Sequence, residues 1–396
     1  MKVVTGNPVK GENFFDREQE QRRIWRKLES DHILLLAPRR IGKTSLLYRL
    51  CETAGQHESE AIYCSFAPCD SELACMSELM KAVGDHQGWG KKLLAALGTR
   101  LKRIKGIKVA GSGIDLDTVE EDRWQAIGES FTATLADFDG RWLITIDELP
   151  LFVLGLLGRD GGKERARVFL NWFRNQRQLH ADNVRWILAG SIGLDTVAAR
   201  HGFGDTINDL DLFPLGAFSE PTARRFVHEL AGGEGMPLSD EVCCYLIERV
   251  GWPVPYYIQL LFSQLLEQWE ADDREPDTRS VDNAFEALLA PAHRNRFDYW
   301  RQRLREELGE PEAGLAIHLL NAICQDRQGA SRSTLAQRLN DKITGHRQLT
   351  ESKDAAGLLR YLLDVLETDG YIVEVGARYR FRLEWLREYW RRRVAV

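Results

Sequence analysis

No apolar run in this 396-residue chain approaches the roughly 20 residues a helix needs to cross a bilayer, which argues against integral membrane association. The N-terminus, MKVVTGNPVKGENFF, is too polar for a secretory signal, so cytoplasmic residence is the expectation. Cysteine is sparse: there are 7, an odd number, and none is spaced as CxxC. Four of them (Cys51, Cys64, Cys69, Cys75) fall close together, yet Cys64 sits in an apolar strand-like run, and ordinary reduced thiols are the better reading than a metal cluster. The 9 histidines are scattered without an HxxxH pair, which argues against a zinc site. Positive charge is not in excess, for a formal net charge of −6 does not suit a general nucleic-acid coat protein. Internal repeats and low-complexity tracts are missing as well.

What remains is a chain with 44% apolar and 28% charged residues, globular in composition and long enough for two or three domains. Its first part alternates nearly continuous apolar runs with amphipathic ones, the pattern of a parallel sheet with helical crossovers. Strands are expected at 32–37, 61–66, 142–147, 184–190 and 210–215, giving a parallel five-stranded sheet with helices on both faces. An insert at 88–118 carries a predicted hairpin turning on Gly111, Ser112 and Gly113. From Ser219 the pattern is helical throughout, beginning on a Ser-Glu-Pro helix start and passing a charged, loop-like stretch at 271–280. Three helical segments, two strands meeting at Gly376 and a last helix then describe a winged helix. The expected domains are a core at 1–217, an all-α lid at 218–308 and a winged helix at 309–396.

Chemistry concentrates at the first strand, which runs straight into APRRIGKTSLL. A strand, a loop ending Gly42-Lys43-Thr44 and a helix form a phosphate-binding loop. Backbone N–H groups of the loop that Pro38 opens (Arg39, Arg40, Ile41, Gly42, then Ser45 on the helix) and the positive helix end face a polyphosphate. Lys43 reaches the terminal phosphate oxygens, and the Thr44 hydroxyl ligates Mg²⁺. A second apolar strand ends in Asp147-Glu148. Asp147 would hold the metal directly or through water, and Glu148 would polarise the attacking water. The 184–190 strand leads into Ser191 and is expected between the other two, where Ser191 would touch the γ-phosphate or serve only as a helix cap. The fold class expected is therefore an α/β P-loop NTPase core with a helical lid and a C-terminal winged helix, using ATP and Mg²⁺.

Together these motifs resemble the archaeal-type ATPase family of the AAA+/STAND P-loop NTPases. PRRIGKTSLL matches its double-arginine loop, so the resemblance marks Arg39 and Arg40. FFDREQE resembles the box that precedes the loop and helps enclose adenine, which implies nucleotide contact by Phe15 and Arg17. GWPVPYYIQ resembles a Gly-x-Pro lid motif whose proline, here Pro253, backs the nucleotide. YRFRLEWLREYW resembles the closing wing and helix. Two departures stand out: Asp16 replaces the glycine of the first box, and Ala37 replaces the first loop glycine, which is harmless if that position keeps a negative φ. No lid arginine can be assigned, and Arg165, Arg167, Arg174 and Arg177, on the helix after the acidic strand, together with Arg200, are the candidates for a trans-acting finger. Without one, turnover would be slow or partner-activated.

The resemblance implies a nucleotide-controlled switch that recruits a protein partner or self-assembles, with a defence or mobile-element system as one setting. The alternative is a DNA-transaction ATPase of the origin-recognition or transposition-regulator type, binding duplex DNA through its winged helix. The helix in the usual recognition position carries Asp354, Asp364, Glu367 and Asp369 against Arg360 alone, which disfavours groove reading by that helix. Contact through Arg378, Arg380, Arg382 and Arg391 to Arg393 stays open, as does pairing of these arginines inside the protein. The basic stretch 91–108 places Leu93, Leu94, Leu97, Leu101 and Ile104 on one helical face, which reads as a surface helix packed on the core or as a docking element.

Overall fold

The computed structural model describes residues 1–395 apart from 87, 103, 105, 111–112, 139, 191–192, 294 and 345–354. The chain divides into two units, one formed by Pro8–Ala37 and Gly42–Leu215, the other by Met1–Asn7, Pro38–Ile41 and Gly216–Val396.

The first unit contains strands β1 (His32–Leu36), β2 (Ser59–Ser65), β3 (Lys108–Ala110), β4 (Gly113–Asp115), β5 (Arg141–Asp147), β6 (Val184–Ala189) and β7 (Leu210–Pro214). Its helices are α1 (Glu18–Leu28), α2 (Lys43–Thr53), α3 (Glu72–Gly84), α4 (Gly90–Leu101), α5 (Trp124–Ala136), α6 (Leu149–Leu157), α7 (Gly162–Leu179) and α8 (Leu194–His201). Five strands form one parallel sheet in the order β2-β5-β6-β1-β7, so each long apolar run predicted as a strand is one. The 184–190 run does lie between the other two motif-bearing strands.

This order positions the site. From β1 the chain crosses to β2 at one edge and then returns across the sheet through β5, β6 and β7. Right-handed crossovers in opposite directions put α2 on one face and the later connecting helices on the other, leaving a crevice at the carboxyl ends beside β1. Central strands are covered on both faces, which explains why His-Ile-Leu-Leu-Leu and Trp-Leu-Ile-Thr-Ile-Asp lack a polar alternation.

The largest core side chains are aromatic, among them Trp142, Trp186, Phe131 and Phe169, all fully buried. Gly128 on α5 is there because Trp172 of α7 leaves no room: a Cβ would sit 2.2 Å from the indole. We expect Gly128→Ala to lower the unfolding free energy by about 1–3 kcal/mol despite the better helix former, since overpacking outweighs propensity. An unchanged urea midpoint would count against that packing.

The insert forms α4 and the antiparallel β3–β4 pair, as the pattern predicts; the Gly111-Ser112 turn lies outside the described residues. Leu93, Leu94, Leu97 and Leu101 are buried in the core cluster and Ile104 packs against it. The apolar face of α4 is thus covered within its own unit, while Lys91, Lys92 and Lys102 are exposed and Arg100 pairs with Asp137.

The second unit is mainly helical: α9 (Glu220–Glu234), α10 (Asp240–Val250), α11 (Pro255–Asp272), α12 (Thr278–Leu288), α13 (Asn295–Leu308), α14 (Glu312–Ile323), α15 (Arg332–Thr344), α16 (Ala355–Thr368) and α17 (Glu384–Arg393). Ser219 and Ser239 cap α9 and α10 by accepting the N–H of Thr222 and Val242, and Asp277 forms a capping box with Ser280. The expected loop at 271–280 is shorter, because α11 continues to Asp272 and α12 starts at Thr278 behind the Asp277 cap. Strands β8 (Ala330–Ser331), β9 (Ile372–Val375) and β10 (Arg378–Phe381) form a small antiparallel sheet in the order β8-β10-β9. With α14, α15 and α16 it is compatible with a winged helix, the sheet having a short third strand that two residues could not announce in sequence.

Candidate nucleotide site

The loop after β1 ends at Gly42, which has φ 102°, a left-handed conformation that glycine adopts without steric cost. The space where a Cβ would project is empty, as a phosphate cradle requires. Ala37 is not among the left-handed residues, so the substitution of alanine there carries no strain. Arg40, by contrast, has φ 65°. Ile41 is buried, while Pro38 and Arg39 are half-buried.

Lys43 opens α2 and is 6% exposed, its ammonium donating to the Ala37 carbonyl at 2.8 Å. It is therefore folded back toward the end of β1. The next residue, Thr44, donates its hydroxyl to Asp147 Oδ2 at 2.6 Å, joining the loop to the end of β5. Ser45 accepts the Val9 N–H at 3.0 Å, fastening the N-terminal segment onto α2.

Asp147 is 2% exposed, and its Oδ1 accepts the Glu148 N–H at 3.0 Å. Burial raises its carboxyl above the ordinary range; Glu148 adds to this, while the Thr44 hydroxyl and the Lys43 charge oppose it. A cation beside it would remove that penalty. Thr44 and Asp147 are hard oxygen donors meeting at one point, so this donor set fits Mg²⁺. Glu148 has φ 58°, which ends the strand abruptly and starts α6 one residue later.

Tyr63 on β2 is a participant that the sequence reading missed. Its hydroxyl donates to Asp147 Oδ2 at 3.3 Å. The available signal was a phenol in the mainly apolar run AIYCSF.

Other predicted residues distribute differently. Asp16 and Arg17 both adopt left-handed φ, 59° and 72°. Arg17 is buried and pairs with Glu20 at 2.7 Å, and Phe15 is half-buried beside it in sequence. Pro253 belongs to the second unit, where its carbonyl accepts the Phe218 N–H at 3.0 Å just before α11. Also within the second unit, the Arg39 guanidinium lies 4.3 Å from the Tyr299 ring centroid and that of Arg40 3.9 Å from Tyr256. Ser191 lies outside the described residues.

The finger candidates need correction. Arg165, Arg167, Arg174 and Arg177 lie on α7, not on the helix directly after the acidic strand, because the wholly apolar α6 intervenes. Arg165 is bidentate on Glu72, Arg167 pairs with Asp205, and Arg174 donates to the Asp205 carbonyl. Arg177, 1% exposed, is held by Asp209. Arg200 is exposed at the end of α8.

A parallel β2-β5-β6-β1-β7 sheet with a phosphate loop after β1 and an acid at the end of β5 is a P-loop NTPase fold. No protein-family model and no curated protein matches the sequence. Among solved structures, the chain is similar to the Walker-type ATPase paby2304 of Pyrococcus abyssi, at 19% identity over 99% of this chain and 100% of that one, with a TM-score of 0.63. It is also similar to the Aeropyrum pernix ORC2 protein in its ADPNP–ADP complexes, at 12% identity over 98% of both chains and a TM-score of 0.53. The ADP form of that protein aligns with a TM-score of 0.50, at 14% identity over 94% of this chain and 92% of the other. At these identities the likeness is one of fold.

Proposed function

We propose that this chain is a Mg²⁺-dependent ATPase of the AAA+/STAND kind, acting as a nucleotide-controlled switch that recruits a protein partner or assembles with copies of itself. The observation that carries the reading is the buried carboxylate of Asp147, bonded to Thr44 at 2.6 Å and flanked in sequence by Glu148. Lys43 and the loop N–H groups would bind the phosphates, Thr44 and Asp147 would hold the cation, and Glu148 would take a proton from the attacking water. Bound Mg²⁺ supplies charge neutralisation at the phosphate oxygens. Ser191 and the contacts of Phe15, Arg17 and Pro253 with nucleotide belong to the same proposal, as does the division into core, lid and winged helix. The solved structures of ORC2 with ADPNP and ADP favour an adenine nucleotide.

Arg165, Arg167, Arg174 and Arg177 are engaged within their own unit, which supports slow or partner-activated turnover. A partner rather than DNA is favoured by the charges of the C-terminal segment. Asp369 forms a buried pair with Arg303, Arg378 bonds Asp326, Arg382 donates to the Ile372 carbonyl, and Arg392 bridges Glu286 and Glu388. Arginines so engaged have fewer donors left for phosphates. Such a switch needs nucleotide to bind two conformations with different affinity.

Light scattering after gel filtration tests it. With a non-hydrolysable ATP analogue and Mg²⁺ we expect a change in mass or hydrodynamic radius. An identical profile with and without the analogue sinks self-assembly, and a salt-dependent shift of duplex DNA would promote the DNA reading instead.

A further inference from the structure

We infer that Tyr63 is a positioning residue of the nucleotide site, its phenol holding the Asp147 carboxylate in the orientation that receives the divalent cation. The inference rests on the ATP-site reading above and extends it to a residue on a different strand.

The geometry is a converging set of donors on one carboxylate. Oδ1 takes the backbone N–H of Glu148 at 3.0 Å, and Oδ2 takes the hydroxyls of Thr44 at 2.6 Å and Tyr63 at 3.3 Å. Parallel pairing sets Tyr63 opposite Thr145 and Ser65 opposite Asp147. Tyr63 and Asp147 therefore point to the same face, one pleat apart on neighbouring strands, and a long side chain is required to close that diagonal. Serine or threonine at 63 would not reach.

The phenol is itself held in place. Its ring meets that of Tyr48 on α2 at 4.5 Å between centroids, tilted by 57°, and Lys10 stands 3.9 Å from the Tyr48 centroid. The two hydroxyls differ in what carries them: Thr44 stands on the helix that follows the phosphate loop, and Tyr63 stands on the strand paired with β5.

Tyr63→Phe removes one oxygen and keeps the ring against Tyr48. The probe is a fluorescent ATP analogue titrated at a series of Mg²⁺ concentrations. We expect the Mg²⁺ concentration giving half of the metal-dependent gain in affinity to rise about tenfold, the scale of one hydrogen bond to a charged acceptor. Analogue affinity in EDTA should stay at the wild-type value, and the ligand-free variant should still unfold in one cooperative transition, lowered by no more than the loss of one hydrogen bond. An unchanged Mg²⁺ requirement overturns the positioning role, and so does a loss of binding of equal size with and without Mg²⁺. Failure of the underlying site reading looks different, for the wild-type chain would then bind no analogue at any Mg²⁺ concentration.

Discussion

Replacing Glu148 with glutamine should lower ATP turnover by about 10²–10⁴-fold while leaving ATP binding nearly intact, the range for loss of a general base. Glutamine keeps the volume and a hydrogen-bonding oxygen but cannot accept a proton. The backbone also argues for a purpose at this residue. A left-handed φ of 58° at a non-glycine residue carries a cost of about 1–2 kcal/mol, and it ends β5 so that the carboxylate follows Asp147 immediately at the head of α6. Lys43→Ala should give a different signature, losing binding and turnover together, because its ammonium lies buried with the Ala37 carbonyl as partner. Phosphate release and analogue binding, measured on both variants, separate the two roles. Turnover unchanged in both would remove the site, and binding lost equally in both would remove Glu148 as the base.

The second large effect concerns stability, and its origin lies away from the phosphates. Arg177 is buried, donating through Nε and Nη2 to Asp209 at 2.9 and 2.7 Å and through Nη2 to the Thr206 carbonyl at 2.9 Å. Burial alone would raise the Asp209 carboxyl, but the guanidinium overrides it and holds the group below its ordinary range. Arg177→Met should cost about 3–5 kcal/mol in urea unfolding, since it strands a largely buried carboxylate. Asp209→Asn added to it should restore part of that loss. A single variant within about 1 kcal/mol of wild type would refute the network's importance.

His32 belongs to the same network and titrates with it. Its Nδ1 accepts the Trp186 N–H at 3.3 Å, so the proton is on Nε2, which donates to the Arg177 carbonyl at 3.0 Å. Protonation would set an N–H against an N–H. Burial, followed by the nearby Arg177 charge, lowers its pKa from 6.5 to about 4. The folded state thus binds fewer protons than the unfolded one between those values. Stability from this residue is complete above pH 6.5 and falls by about 3 kcal/mol as pH drops to about 4. His32→Gln should flatten that part of the unfolding profile; an identical acid slope in both proteins would contradict it.

The periodicity of apolar residues made the five strands legible, because buried parallel strands must be apolar throughout and interruptions between them must be helical. The phosphate loop was legible for a related reason: a glycine at left-handed φ, a lysine and a hydroxyl act at fixed short spacing along one turn. The partners of Arg165, Arg167, Arg174 and Arg177 were not legible on this logic. A basic helix face looks solvated in sequence, and only Glu72, Asp205 and Asp209, brought in from other elements, show what those arginines bind.

The sequence alone therefore made legible the five sheet strands, most of the helices, the loop motif and the acidic pair at the strand end, all properties of residues within a few positions of one another. Tertiary structure alone decided that Tyr63 would join Thr44 and Asp147, and that Arg177 would be buried on Asp209. The physical reason is strand order and register. These pairs are separated by many residues, and their geometry is set by which strands lie side by side and on which face each side chain emerges, information no local pattern contains.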